Sequence, residues 1–589
     1  MELFLRAWAE GDAPAQRALL DDRNSDFEAQ QRQWRERLGV VASRFELTRV
    51  EEVAEDSARV TFRGVHTLRG LGEWSFESSV PVVRVGGRWL CRWSLAVLHP
   101  EARAGDRFDR TRSFGPRAAL LDGRGDPLTV EGDVVTIGVI PGRVRQVEEV
   151  VSAIETHTGL ERGRITRALQ TGASRPGEFL PLIDVRPERY ERVRPSLAPV
   201  PGVFFRRNRA RLTPSEGFAA HTLGRVGEIT AERLKELGEP YQVGDVVGLS
   251  GLERSQERTL AGLPSGEVRL RRASGESVLL HRFEGQAGEA VQTTLRREVQ
   301  SAAEAALADV TGPSALVAVE VGTGEVLAVV SRPLNVPLNR ALQGRYPPGS
   351  TFKVVSVEAQ LERGLTPESP VMCPAQAAAG GFRFRNFEGA ALGRTTLRRA
   401  FAESCNTAFV LLGNELPPDA MESAARRFGF DVPYDPGLPS PGATFPPPID
   451  AAERAAASIG QGRVLATPLH MASVAAAVGA GRWRSPTLLA DGASVRAEPL
   501  PSNATRSLRI LLEAVVKEGT GKAAAGVPGL IGKTGSAEFG TEAPFGTHAW
   551  FIGLHGDVAF AILVEGGGTG GKVAAPIAAR FASELTSKR

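Results

Sequence analysis

The spacing of hydrophobic positions changes several times along the chain, and each change predicts a different kind of element. Near the start, LFLRAWAEGDAPAQRALL and FEAQQRQWRERLG repeat apolar residues at helical spacing. Four segments follow in which apolar and polar positions alternate, from RFELTRVEEV through SARVTFRGVHTL and WSFESSVPVVRVGG to RWLCRWSLAVLH. Residues 1–105 are therefore predicted to form helices on a curved antiparallel sheet, which is an α+β cone.

Residues 106–287 contain both segments with helical spacing of apolar residues and segments in which apolar and polar residues alternate. RVRQVEEVVSAIETHTGL and ITAERLKELGE have helical spacing, whereas GEVRLRRASGESVLLHRFEG alternates and predicts a hairpin. The glycines of this stretch follow no strand–glycine loop–helix order, so the pattern argues against a nucleotide-binding loop. We expect a second domain of mixed helix and strand.

Residues 288–589 begin with a helical segment, QTTLRREVQSAAEAALADV, and a hairpin, SALVAVEVGTGEVLAVVSRP. GLIGKTGSAEFG and HAWFIGLHGDVAFAILVE predict strands, and VAAPIAARFASELTSK predicts a final helix. The proline-rich segment 433–450, PYDPGLPSPGATFPPPID, predicts a surface loop.

Composition narrows the class of protein. The formal net charge is only +3 over 589 residues and aromatic residues make up 6%, so nothing indicates nucleic-acid binding. The eight histidines form no metal-ligand pattern, and we expect neither a metal nor a cofactor. Cys91, Cys373 and Cys405 are too few and too scattered to indicate a disulfide framework, and the odd count leaves at least one free thiol. No apolar run reaches 18 residues, so no membrane-spanning helix is predicted.

Candidate chemistry appears in RYPPGSTFKVVSVEAQLERG, residues 345–364. The prolines before Ser350 cannot lie inside a helix, so a helix is predicted to begin near this serine and to end near Gly364. Lys353 then lies one turn after Ser350 on the same face, where a lysine with a lowered pKa could activate the hydroxyl. An N-capping serine followed by a surface lysine is the alternative interpretation.

Lysine is rare in this chain, which favours the chemical interpretation. Arginine cannot give up its proton and therefore cannot serve as a general base. Of 71 basic residues, the lysines are Lys235, Lys353, Lys517, Lys522, Lys533, Lys572 and Lys588.

Two further motifs follow in order. AESCNTAFVLLG places Ser404, Cys405 and Asn406 at the start of another helical run, and LIGKTGSAEFG contains Lys533-Thr534-Gly535-Ser536. S-x-x-K, S-D-N and K-T-G together are typical of serine β-lactamases and penicillin-binding proteins, and all three occur here in that order, with Cys405 in the middle of the second. Cys405 could be a nucleophile, but its place inside the second motif favours a small packing residue.

Longer segments resemble the class B penicillin-binding proteins, among them LNRALQGRYPPGSTFKVV, ASIGQGRVLATPLHMASVAAAV and VVKEGTGKAA. HTLGRVGEIT and VGLSGLERSQERTLAG resemble the pedestal, or dimerisation, domain of that family, and GRWLCRWSLAVLHPEARAGDRF resembles the end of the N-terminal domain of methicillin-resistance-type members. The resemblance covers nearly the whole chain. It implies a multidomain α+β protein: a spacer cone of nuclear-transport-factor type (1–105), a pedestal (106–287) and a β-lactamase/transpeptidase-like domain (288–589), whose antiparallel sheet is flanked by helices.

The resemblance also implies roles for the first two motifs. Ser350 would attack the carbonyl between the two terminal D-alanines of a peptidoglycan stem peptide, and Lys353 would accept its proton. Ser404 would pass a proton to the leaving amine, and the Asn406 amide would hold the donor peptide. An amine of a second stem peptide would then form the cross-link.

The third motif would bind the substrate. Lys533 would keep Lys353 neutral by charge repulsion, and the hydroxyls of Thr534 and Ser536 would hold the substrate carboxylate. Gly535 would allow close approach to the strand, and the N–H groups of Ser350 and Ser536 would form an oxyanion hole. His548 is expected to pack on the strand rather than to react.

The same resemblance implies location, ligands and a partner. We expect β-lactams as inhibitors, a separate glycosyltransferase as partner, and the extracytoplasmic face of the membrane as location, through an N-terminal anchor missing from this chain. A β-lactamase, a D,D-carboxypeptidase and a non-catalytic penicillin sensor or scaffold are the alternatives. We expect Glu403 to lie in the first turn of a helix and Glu538 to lie beyond reach of the acyl carbon.

Overall fold

The computed structural model describes residues 1–21, 26–417, 419–540 and 545–588. The chain forms two compact units, one of residues 1–120 and 222–291 and the other of residues 121–221 and 292–589. Parts of segment 106–287 belong to each unit, and the domain borders at 105 and 287 stay a prediction. No helix in the described ranges is long and apolar enough to cross a bilayer.

The N-terminal part of the first unit is an α+β cone. Four antiparallel strands pair in chain order, Val40–Ala54, Ser57–Leu68, Gly72–Val85 and Arg88–Cys91. The helices Glu2–Glu10, Ala13–Arg17, Phe27–Leu38 and Leu95–Leu98 accompany this sheet. Its core contains three fully buried tryptophans, Trp8, Trp34 and Trp74. The predicted helices on an antiparallel sheet are confirmed.

This core also buries two histidines whose charged forms are disfavoured. Burial, followed by the nearby His99 and Arg35, lowers the pKa of His66 from 6.5 to about 3, and burial lowers the pKa of His99 to about 4. In the unfolded chain both would bind a proton near pH 6.5. Protons therefore bind more strongly to the unfolded state, so the stability that these two neutral histidines contribute is present above about pH 6.5 and falls as the pH drops toward 4.

We expect the urea concentration at the unfolding midpoint of this domain to be lower at pH 5 than at pH 7. Tryptophan fluorescence can follow it, because five of the seven tryptophans lie before residue 94. His66→Asn should reduce the pH dependence, whereas replacement of the exposed His157 by Gln should leave it unchanged. An equal midpoint at both pH values would contradict the expectation.

The rest of the first unit comprises two small sheets and short helices. Ser277–Phe283, Ser265–Arg271 and Arg107–Ser113 form a three-stranded antiparallel sheet, which contains the predicted hairpin. Val226–Glu228 pairs with Val246–Gly248. The helices are Ala231–Leu237, Gly251–Ser255 and Glu257–Ala261.

The second unit contains a smaller sheet in its segment 121–221. Val130–Val139 lies between Leu180–Val185 and Val203–Leu212, and both pairings are antiparallel. Apolar side chains of this sheet share one core with the helices Val147–Thr158, Arg162–Gly172 and Pro187–Leu197.

The large domain of the second unit is built on five antiparallel strands. Their order is Val326–Arg332, Ser314–Glu320, Val558–Val564, Gly546–His555 and Ile531–Phe539. The helices Arg297–Ala306 and Ala574–Lys588 share a core with this sheet, and Pro468–Ala480 packs against its central strands. Ile531–Phe539, which carries the third motif and is called the KTG strand below, lies at the edge. The predicted sheet flanked by helices is confirmed.

The remaining helices of this domain include those that begin at Lys353 of the first motif and at Asn406 of the second. They are Arg340–Gln343, Lys353–Glu362, Leu397–Ala402, Asn406–Glu415, Ala420–Arg427, Ala451–Ser458 and Ser502–Glu518. Short hairpins join Pro370–Cys373 to Gly393–Thr396 and Gln376–Ala379 to Phe382–Arg385. Arg482–Arg484 pairs with Arg496–Pro499.

The prediction of a surface loop over 433–450 is wrong in part. Leu438 and Phe445 are buried, and Ala443–Thr444 pairs with Leu465–Ala466. Proline excludes regular secondary structure but not burial, so the segment covers apolar side chains while keeping an irregular backbone.

Candidate active site

The first motif lies on a tight turn that leads into a helix. Gly349–Phe352 forms a 3₁₀ turn, and the α-helix begins at Lys353 and ends at Glu362, close to the predicted bounds. Ser350 is half-exposed, whereas Lys353 is fully buried. The serine therefore remains accessible while the lysine beside it is removed from water.

Gly349 allows this turn to lie against the KTG strand. Its φ of 52° is in the left-handed region, which favours glycine. A β-carbon here would come within 3.0 Å of Ala537 and 3.1 Å of the Ser536 carbonyl oxygen. On the strand, a β-carbon at Gly535 would lie 3.1 Å from the Pro348 oxygen. Gly535 thus permits close approach by the Ser350 turn.

Lys353 joins the first motif to the second. Its Nζ lies 2.7 Å from the Ser404 carbonyl oxygen, 2.7 Å from Asn406 Oδ1 and 3.2 Å from Ser404 Oγ. The carbonyl and amide oxygens can only accept, so each takes one N–H of the lysine. A neutral amine has two N–H bonds and one lone pair. In the neutral form both N–H bonds are thereby taken, and the lone pair can accept from the Ser404 hydroxyl 3.2 Å away. Ser350 Oγ makes no hydrogen bond to Lys353 within the described residues.

Two neighbours define how the second motif meets this lysine. Asn406 Nδ2 donates to the Arg385 carbonyl oxygen at 3.2 Å, which leaves Oδ1 directed at Lys353. Ser404 has a φ of 55°, a backbone conformation that is uncommon for a residue with a side chain. This conformation accompanies the contact of its carbonyl oxygen with Lys353 Nζ, so the strained residue lies within the candidate site.

Lys533 joins the third motif to Ser404, the residue of the second motif that Lys353 also contacts. Its Nζ lies 3.0 Å from Ser404 Oγ and 2.9 Å from the Thr534 carbonyl oxygen. Burial lowers the pKa of Lys533 to about 7. Burial, with the nearby charge of Lys533, lowers the pKa of Lys353 well below 10.5. Both effects disfavour two charged ammonium groups in one buried site and favour the neutral form of Lys353.

The two hydroxyls of the third motif differ in their surroundings. Thr534 is buried, and its Oγ1 lies 2.5 Å from Thr520 Oγ1. Ser536 is half-exposed, and its Oγ accepts the Gly570 N–H at 3.1 Å. The hydroxyl proton of Ser536 is therefore available for a ligand. Both residues lie on one side of the strand, as alternation predicts.

The expectation that Cys405 is only a packing residue is wrong. Cys405 forms a disulfide with Cys373, whose Cα atom is 6.2 Å away. The two cysteines are 32 residues apart in the sequence, so no local pattern predicts the disulfide. It forms because strand Pro370–Cys373 packs beside the second motif. Cys91 is the buried free thiol.

The carboxylate Glu403 also differs from expectation. The helix Leu397–Ala402 ends just before it, so Glu403 is a C-cap and does not lie in a first turn. Thr396 caps the start of that helix by accepting from the Arg399 N–H, a signal the sequence analysis overlooked. Glu538, on the KTG strand, is exposed.

His548 packs as expected. Its ring stacks on Phe539 with centroids 4.1 Å apart, and its Nδ1 accepts the Gly566 N–H at 3.2 Å. Burial lowers its pKa and the carboxylate of Glu565 opposes that shift.

Sequence reasoning missed a fourth segment that touches this site. EGGGTGGK, residues 565–572, follows the strand Val558–Val564 and is called the glycine-rich segment below. A β-carbon at Gly570 would lie 2.3 Å from the Gly535 oxygen and 2.4 Å from the Trp550 oxygen. Five glycines in eight residues were the available signal for such an approach.

No group of His, Cys, Asp and Glu in the parts of the chain that the structure describes could hold a metal ion. The candidate site therefore consists of hydroxyls, amines, an amide and backbone groups.

Comparisons with known proteins match three parts of the chain to domain families. Residues 314–583 match the penicillin binding protein transpeptidase domain, residues 112–293 the penicillin-binding protein dimerisation domain, and residues 1–106 the NTF2-like N-terminal transpeptidase domain. The chain is 32% identical over 445 residues to peptidoglycan D,D-transpeptidase PbpA of Mycolicibacterium smegmatis, which is 63% of this chain and 88% of that protein. It is 34% identical over 349 residues to PbpA of Mycobacterium tuberculosis, 49% of this chain and 70% of that protein.

One solved structure has a similar fold. The complex between penicillin-binding protein PBP2 and MreC from Helicobacter pylori contains a chain with a TM-score of 0.61 and 21% identity, covering 82% of this chain and 99% of that one. With three matching domains in order and a relative covered over most of its length, the chain belongs to the class B penicillin-binding proteins that have an NTF2-like N-terminal domain.

Proposed function

We propose that this protein is a D,D-transpeptidase that cross-links peptidoglycan stem peptides through an acyl-enzyme on Ser350, and that β-lactams acylate the same serine. The observation that carries the proposal is the environment of Lys353. Its two N–H bonds are taken by the oxygens of Ser404 and Asn406 and its pKa is lowered, and it begins the helix that directly follows the Ser350 turn, so we propose that its lone pair takes the Ser350 proton.

Acylation then runs as follows. Ser350 Oγ forms a bond to the carbonyl carbon between the terminal D-alanines, and its proton moves to Lys353 Nζ. Ser404, in contact with both lysines, passes a proton to the departing D-alanine amine as the C–N bond breaks. The N–H groups of Ser350 and Ser536 stabilise the oxyanion between these steps.

The third motif holds the substrate. Ser536 donates its free hydroxyl proton to the terminal carboxylate, with Thr534 beside it, and Lys533, whose pKa burial lowers to about 7, supplies positive charge when it is protonated. The edge position of the KTG strand offers backbone groups to an extended peptide. Asn406 holds the donor peptide while an acceptor amine attacks the acyl-enzyme and returns Ser350 to its free form.

Location and partners follow the same proposal. Disulfides persist in oxidising compartments, and the bond between Cys373 and Cys405 therefore supports an extracytoplasmic place of action. The relatives are named for transpeptidase activity alone, so we propose that a separate glycosyltransferase makes the glycan strands.

The proposal is tested with a donor peptide ending in D-alanyl-D-alanine and an excess of a peptide amine. We expect D-alanine release together with a cross-linked product. Hydrolysed donor without cross-link at any amine concentration would instead identify a D,D-carboxypeptidase, and the absence of any turnover would favour a sensor or scaffold.

The lifetime of the penicillin adduct separates a transpeptidase from a β-lactamase. Hydrolysis needs a base that activates water at the acyl carbon. Glu403 and Glu538 are the carboxylates nearest the motifs in the sequence, and within the described residues neither carboxylate hydrogen-bonds to Lys353, Ser404 or Lys533. We therefore expect an adduct that persists for many minutes in intact-protein mass spectra. Recovery of free protein within seconds would favour a β-lactamase.

A further inference from the structure

The glycine-rich segment begins with a carboxylate that two side chains contact. Glu565 Oε1 accepts from the Tyr346 hydroxyl at 2.6 Å and from Arg340 Nε at 2.8 Å. Its own backbone N–H donates to the Pro313 oxygen at 2.9 Å, which fixes it at the end of the central strand. A carboxylate can only accept, so the phenol must be the donor.

Tyr346 is the last anchored side chain before the catalytic turn. Its backbone exchanges hydrogen bonds with Ala466 at 3.0 and 2.9 Å, and the next carbonyl, that of Pro347, accepts from Trp550 Nε1 at 3.1 Å. Two prolines and Gly349 then lead to Ser350. Because proline fixes φ at two of the three residues between Tyr346 and Ser350, this link has few free dihedrals.

The phenolic oxygen is not needed to complete the ion pair or the packing. Arg340 already pairs with Glu565, and the ring contacts His548 and Trp550 with centroids 5.4 and 6.2 Å apart. A phenylalanine would keep those ring contacts. Burial, strengthened by the Glu565 carboxylate, raises the pKa of Tyr346, so the phenol remains protonated at neutral pH.

The same segment reaches the third motif. Five residues after Glu565, the Gly570 N–H donates to Ser536 Oγ. One segment thus contacts the loop that carries the nucleophile and the strand that binds the carboxylate.

We infer that Glu565 is a positioning residue for acylation, which holds the Ser350 turn in register with the KTG strand through the Tyr346 hydroxyl. The inference rests on the proposed function of Ser350. Glu565 itself does not touch the substrate. It fixes where the serine oxygen stands relative to the bound carbonyl, and such placement affects the chemical step more than binding.

The test compares Tyr346→Phe, Glu565→Gln and the double variant in the full chain, with Tyr190→Phe as matched control. Tyr190 packs on Phe205 in the smaller sheet. Stopped-flow acylation by penicillin separates the dissociation constant of the first complex from the rate constant of acylation. Circular dichroism and the thermal midpoint check that each variant is folded.

We expect Tyr346→Phe to lower the acylation rate constant about tenfold, as for loss of one hydrogen bond to a charged group, with the dissociation constant unchanged. The double variant should be no slower than the slower single one, because Tyr346→Phe already removes the contact that Glu565→Gln weakens. Tyr190→Phe should acylate like the unchanged protein.

Three results would overturn the inference. Tyr346→Phe could be acylated at the unchanged rate. If its thermal midpoint alone were lower, the bond from Tyr346 to Glu565 would be purely structural. The two single effects could multiply in the double variant, which indicates independent roles. Failure of the unchanged protein to be acylated would overturn the proposed function and the inference with it.

Discussion

Lys353→Arg should reduce the rate constant of acylation by penicillin by about 10³-fold, although the substitution preserves positive charge. General-base catalysis contributes about 10² to 10⁴ to a rate, and arginine stays protonated at any pH the protein survives. Lys353 is fully buried and its two fixed acceptors are a carbonyl and an amide oxygen. A guanidinium there has no lone pair to receive the Ser350 proton.

Lys533→Arg is the matched control, since it is also buried and also contacts Ser404. Its proposed role needs positive charge, so we expect a smaller loss, about tenfold or less. Circular dichroism should confirm that both variants are folded. Acylation of a folded Lys353→Arg variant at the unchanged rate would show that another group takes the proton.

Ser350→Ala should abolish covalent labelling by penicillin while leaving the thermal midpoint close to that of the unchanged protein. The half-exposed hydroxyl makes no hydrogen bond to any described residue, so its loss leaves no buried partner unsatisfied. The turn itself is held by Gly349 and the prolines. Labelling should therefore disappear without loss of fold.

Ser356→Ala is the matched control for that substitution. Ser356 lies on the same helix, and its buried hydroxyl donates to the Ser458 carbonyl oxygen at 2.7 Å. Its loss should cost some stability but leave labelling intact. Covalent labelling of the Ser350→Ala variant by penicillin would show that Ser350 is not the nucleophile.

Much of the fold was predictable because periodicity reports burial. The alternating segments of the N-terminal domain and the strands around the KTG motif formed where the pattern places them, since one or both faces of each are buried. Segment 433–450 was harder, because proline excludes regular structure without deciding whether the chain is covered.

The candidate site was predictable where chemistry restricts the residue type. Lys353, Ser404, Asn406 and Lys533 meet in space as the motifs imply, and hydrogen bonding adds the direction of each donor. Their catalytic roles and the substrate-binding roles of Thr534, Gly535 and Ser536 stay predictions.

Contacts between distant segments could not be predicted from the sequence alone. The disulfide between Cys373 and Cys405 and the bond between Tyr346 and Glu565, 219 residues apart, depend on tertiary packing. In neither pair does the local sequence around one residue indicate which distant residue it contacts. Thr520, in the segment VVKEGTGKAA, contacts Thr534 through its hydroxyl. This contact also depends on tertiary packing, so the sequence did not predict it.

Identification of the residue that penicillin modifies tests the central claim most directly. Trypsin should cleave after Arg345 and Lys353 and release YPPGSTFK, which contains Ser350 and no residue of the other motifs. After incubation with penicillin, we predict this peptide to carry the mass of one penicilloyl group, with fragment ions that place it on Ser350. An adduct on Ser404, on Thr351 or on any residue outside this peptide would contradict the account.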